Sequence, residues 1–90
     1  MPSEKIPSAM IYTVRQYIEN NIGTCQFVTR NGSPHTRDIC KRLLEQSFGA
    51  YDFLRTFLYS HYNDEVAGLD NQWETKWMPE LKALVERAKD

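Results

Sequence analysis

The chain has 90 residues, 41% of them hydrophobic and 26% charged. That suits one small globular domain and excludes both a two-domain protein and a disordered polymer. A formal net charge of −1 excludes a protein that coats nucleic acid by bulk charge.

The first seven residues contain Pro2 and Pro7 and are read as a loose arm, followed by a single helical domain over residues 8–90. The first helix is expected from Ser8 to Ile22, because Ile11, Val14, Ile18 and Ile22 recur at helical spacing. Gly23 follows the last periodic residue, where a left-handed C-cap is favoured. Residues 24–30 contain Thr24, Phe27, Val28 and Thr29 and have strand character, and Asn31-Gly32 is a turn signal. At most one short extended segment is expected there, since Ser33-Pro34-His35 cannot supply a pairing strand.

Ser33-Pro34 reads as a helix start, with Thr36 as a rival cap. The second helix is expected to run to about Gln46, with Ile39, Cys40, Leu43 and Leu44 on its inner face. Gly49 is read as a break, and a third helix follows from about Ala50 to Tyr62. Its inner stripe is taken as Phe53, Leu54, Phe57 and Leu58, leaving Tyr51, Asp52, Arg55, Thr56 and Tyr59 outside or at the margin. Residues 63–72 read as a polar loop. Pro79 fits only a first helical turn, so the fourth helix is expected to start near Thr75 to Met78 and to bury Trp77, Leu81, Leu84, Val85 and Ala88. The expected fold is therefore all-α: a small four-helix domain with a helix-turn-helix-like central pair.

That pair carries the leading functional expectation, a small DNA-binding regulator acting as a homodimer. Residues 34–46 would brace on the backbone and residues 50–62 would enter the major groove. Tyr51, Arg55 and Thr56 would face base edges, and Arg30, Arg37, Lys41 and Arg42 would hold phosphates. Asp52 opposes this, since a carboxylate near phosphate repels. The segments "VRQYIENNI", "TRDICKRL" and "AYDFLRTF" together resemble one helix-turn-helix half of the AraC-type regulators, over about half the chain. This sequence departs from that family in a longer first link with an Asn-Gly turn, in about two extra residues between brace and reader, and in lacking the second half. The resemblance implies the same DNA reading as the bare pattern.

The rival expectation is a small adaptor or inhibitor that acts by protein contact. Aromatics make up 12% of the chain, more than so small a core can hold, and several fall in its C-terminal half. Tyr59, Tyr62 and Trp73 are the candidate contact residues, of the types that dominate protein interfaces. Charge leans the same way: residues 63–90 hold seven acids and four bases, whereas residues 28–62 hold five bases and three acids.

No catalytic site, cofactor or metal is expected. Cys25, His35, Cys40 and His61 match no zinc spacing, and nothing orients a base beside Ser33 or Cys40. Both cysteines are expected as free thiols, and Cys40 as a small core residue. No signal peptide and no membrane span is read, so the expected location is cytoplasmic.

Overall fold

The first apolar stripe does not stop at Ile22. In this computed structural model, which describes residues 2–58 and 64–88 (with side chains from residue 8 onward), helix α1 spans Pro2–Asn31. Cys25 is fully buried and Val28 packs against the core, so the stripe Ile11, Ile18, Ile22, Cys25 continues at spacings of seven, four and three. Burial of that stripe outweighs the β preference of Thr24, Phe27, Val28 and Thr29, and no extended segment forms there. The hydroxyl of Thr24 donates to the Asn20 carbonyl at 3.0 Å, as hydroxyls on helices commonly do. Gly23 lies inside the helix rather than at its cap, and residues 2–7 form its first turns rather than an arm. The Asn-Gly signal does mark the end. Gly32 takes a left-handed φ of 62°, and its N–H reaches the Thr29 carbonyl.

Helix α2 spans Thr36–Phe57 without interruption. The cap is His35, itself left-handed at φ 60°, and neither Ser33 nor Thr36 fills that place. Thr36 is buried, and its hydroxyl donates to the Ser33 carbonyl. The expected turn at Ser47-Phe48-Gly49 is absent. Cys40, Ser47, Tyr51, Leu54 and Leu58 are all buried at spacings of seven, four, three and four, which one straight helix satisfies. A Gly inside a helix costs roughly 1 kcal/mol relative to Ala, while each large apolar side chain buried beyond it returns about 1.5–3 kcal/mol. The brace-and-reader pair is thus a single rod.

The polar stretch after the second connection is also helical. Helix α3 spans Asp64–Gln72, a π turn covers Trp73–Trp77, and helix α4 follows over Met78–Arg87. Pro79 explains the junction. It lacks an N–H and its ring pushes away the carbonyl four residues back, so the ladder widens just before it. The Met78 N–H accordingly reaches the Trp73 carbonyl, five residues back. Widening keeps Leu69, Trp73, Trp77 and Leu81, spaced by four, on one buried face.

Among the described residues the result is an all-α bundle of three long helices, the third built of α3, the π turn and α4, rather than four. Tyr17 reaches Gln46, Asn21 reaches Ser47, and Thr29 approaches Cys40, so α1 and α2 are antiparallel. Ser8 donates to Glu65 and Gln26 to Glu80, so α1 runs parallel to α3 and α4. The bundle measures 48 × 20 × 15 Å, close to the 45 Å expected of a 30-residue helix. No helix of the described residues is long and apolar enough to cross a membrane.

Candidate partner-binding groove

Continuity of α2 changes what its residues face. Leu44, Phe48, Tyr51 and Arg55 follow at spacings of four, three and four and share one side of the helix. Opposite them, Trp73, Glu74, Met78 and Lys82 come from the π turn and α4. Together with Glu45 they line a groove of about 520 Å³.

Its floor is an aromatic cluster. The Tyr51 and Trp73 rings stack at 5.0 Å between centroids with 11° between planes. Phe48 tilts against both, at 6.3 Å from Tyr51 and 5.8 Å from Trp73. Tyr51 and Trp73 are buried, whereas Phe48 stays 49% exposed and presents the cluster to solvent. The Tyr51 hydroxyl donates to Asp70 Oδ1 at 2.6 Å. Burial, and after it that hydrogen bond, pushes the phenol above its ordinary value, with Arg55 opposing. Arg55 Nε lies 3.7 Å from the same Asp70 oxygen. The rim mixes signs, with Glu45 and Glu74 against Arg55 and Lys82.

The residues named from sequence for reading DNA fall at different depths. Tyr51, expected to meet bases, is buried in the core. Arg55 is engaged with Asp70 at the groove rim, and Thr56 is exposed one position on. Arg30, Arg37, Lys41 and Arg42 are exposed. Lys41, Glu45, Phe48, Asp52 and Arg55 follow one another along a stripe of α2, so two carboxylates separate Lys41 from Arg55. These two cations stand 14 residues apart, or about 21 Å at the helical rise.

The protein-contact residues fare differently again. Trp73, named as a candidate contact residue, is only 5% exposed at the start of the π turn, on the same buried face as Leu69 four residues earlier. Tyr59 and Tyr62 lie outside the described residues, as does His61. Phe53 and Phe57, expected inside, are 67% and 58% exposed, their rings 6.2 Å apart. The continuous α2 places them about a quarter-turn or more from the Tyr51–Leu54 side. Phe48, Glu74, Met78 and Lys82 were missed by sequence reasoning. Their shared face becomes visible only when both helices are counted through without a break.

Cys25 and Cys40 are free and buried. Burial pushes the Cys25 thiol up to about 12, and the adjacent Cys40 adds to the shift through charge repulsion and a hydrogen bond. Neither is an exposed thiolate suited to nucleophilic work. Among the described residues no group of three His, Cys, Asp or Glu is placed to hold a metal ion. No family model, no characterised protein and no solved structure matches this chain.

Proposed function

We propose that the protein is a small adaptor that binds a partner protein through the groove between α2 and the π turn with α4. The half-exposed Phe48, standing on the stacked Tyr51 and Trp73, is the observation that carries this reading. An apolar floor with a polar rim is the usual anatomy of a protein interface. A groove between two helices receives a third helix by its apolar stripe. The mixed rim asks for a partner segment with an apolar anchor flanked by one acidic and one basic residue. Glu45 and Glu74 would meet the base, and Arg55 and Lys82 the acid.

A displayed library of amphipathic helical peptides tests this against wild type, Phe48→Asp and Met78→Asp. Both substitutions fall on groove residues outside the buried core, and circular dichroism checks that the fold survives. Peptides captured by the wild type should be lost by both variants, and the retained set should be rich in an apolar anchor with flanking charges. Capture that ignores both substitutions sinks the reading. Titration with mixed-sequence duplex DNA at low salt addresses the alternative. Binding in the range of about 10⁻⁴ to 10⁻⁶ M that tightens as salt falls, and weakens with Lys41→Ala and Arg42→Ala, would favour a DNA-binding regulator instead.

A further inference from the structure

The charge of the groove is less balanced than its rim suggests. Glu45 and Glu74 stand there against Arg55 and Lys82, but Asp70, just outside the lining, adds a third carboxylate. Asp70 belongs to α3 and is held from the floor of the groove, where the Tyr51 hydroxyl donates to its Oδ1 at 2.6 Å. Arg55 Nε lies 3.7 Å from the same oxygen. A hydrogen bond to a carboxylate is short and strong, so the buried tyrosine fixes this anion beside Arg55. A partner's carboxylate that approaches Arg55 therefore meets the guanidinium together with a fixed charge of its own sign. Attraction and repulsion nearly cancel.

The charges also sort along the groove. Helix α2 runs antiparallel to α3 and α4, with Tyr51 level with Trp73 and Arg55 level with Asp70. Counting on from those pairs sets Glu45 near Met78, with Lys82 one turn further. One end of the groove thus holds Asp70 and Glu74 against Arg55, a net of −1, and the other pairs Glu45 with Lys82. Among the described residues neither Glu45 nor Glu74 is paired with a cation. The charge of Glu74 reaches the floor. Burial is the main cause that raises the Tyr51 phenol, Asp70 adds to it, Arg55 opposes, and Glu74 adds again.

We infer that the groove takes a basic partner segment, an amphipathic helix whose apolar anchor rests on Phe48 and whose Lys or Arg, one turn away, lies against Glu74, with Asp70 setting this preference by cancelling Arg55. The inference rests on the groove being the binding surface, and it says which flanking charge decides: the base. An acid on the partner has Lys82 to meet, with Glu45 at the same end. Asp70 is a positioning residue, since it acts on the partner through Arg55 and Tyr51.

Three helical peptides with one shared apolar stripe, and with Lys, Glu or Gln at the flanking positions, test this by fluorescence anisotropy. The wild type is expected to bind the Lys peptide at least about 5-fold tighter than the Glu peptide at low salt, with the gap closing as salt rises. Asp70→Asn keeps an acceptor for Tyr51 and removes the charge. The Lys-to-Glu preference should then fall at least about 3-fold, chiefly because the Glu peptide binds better. Arg55→Gln should raise that preference. Glu74→Gln, at an exposed position, should weaken the Lys peptide about 3-fold and leave the Gln peptide unchanged. Glu19→Gln removes an equal charge beside Lys76 and Glu80, away from the groove, and should leave the preference as it is. Circular dichroism checks that each variant keeps its helicity. Binding that is lost in Phe48→Asp yet equal for the Lys and Glu peptides overturns this inference and leaves the groove standing. So does a preference that Asp70→Asn and Glu19→Gln change alike. Binding that survives Phe48→Asp, or no binding of any of the three peptides, overturns the groove and the inference together.

Discussion

Asn21 of α1 donates a hydrogen bond from Nδ2 to Ser47 Oγ of α2 at 2.9 Å, and both residues are buried. This is a polar clasp within the contact of two long antiparallel helices. Removing one partner leaves a buried polar group without its bond, which costs about 1–3 kcal/mol. Asn21→Ala is therefore expected to lower the urea unfolding free energy by that amount. Asn21→Ala with Ser47→Ala should cost less than the sum of the two single changes. Additive losses in that double-mutant cycle would show that the bond contributes nothing of its own.

The two aromatic-or-aliphatic neighbours on α2 should behave in opposite ways. Leu54 is 1% exposed and sits in the core, so Leu54→Ala is expected to cost about 2–5 kcal/mol. Phe57 is 58% exposed, so Phe57→Ala should cost under about 0.5 kcal/mol. Urea unfolding of the two variants at a few micromolar measures both. Comparable losses would place Phe57 inside after all.

Stability should fall on the alkaline side. The Cys25 thiol is raised from 9.0 to about 12 by burial, and by Cys40 beside it. Below pH 9 folded and unfolded chains both keep the proton, and no pH dependence arises from this group. Between about 9 and 12 the unfolded chain releases it while the folded chain holds it, so stability drops by up to about 1.4 kcal/mol per pH unit. Tyr51, also raised, acts in the same direction at higher pH. The fall in urea midpoint between pH 8 and pH 10.5 should be smaller in Cys25→Ala than in the wild type. Equal falls would mean that another group carries the effect.

The helical class was legible because the stripes of α1, α2 and α4 are long and strongly periodic. What the sequence hid were the joins. Thr24, Phe27, Val28 and Thr29 favour strands as isolated residues, and only the partner helix α2 makes burial of Cys25 and Val28 worth more than that preference. Gly49 and Pro79 read as breaks because their local costs are real. Tyr51 and Leu54 on one side and the Trp73–Trp77 π turn on the other absorb those costs through packing that no local window contains. The candidate site followed the same logic. Taking Gly49 as a stop put Tyr51 near the exposed start of a helix and Phe53 and Phe57 inside. Counting α2 straight through reverses all three. Trp73, named from sequence as a contact residue, lies beneath Phe48, with the ring centroids 5.8 Å apart.

The glycines separate one rod from two helices. Gly49 lies within α2 at a negative φ, and a Cβ built there meets nothing within 4 Å. Alanine at such a site removes freedom from the unfolded chain and adds helix propensity, so Gly49→Ala is expected to stabilise by about 0.5–1 kcal/mol. Were Gly49 instead a left-handed turn residue between a brace and a reading helix, the same change would destabilise by about 1 kcal/mol or more. Gly32 is the internal reference. It has the same open surroundings but a φ of +62°, so Gly32→Ala should destabilise by about 1 kcal/mol. Thermal or urea unfolding of the two variants beside the wild type reads both signs at once. Opposite signs support a continuous α2, and a loss at both positions would restore the turn at Ser47-Phe48-Gly49 and with it the geometric case for reading DNA.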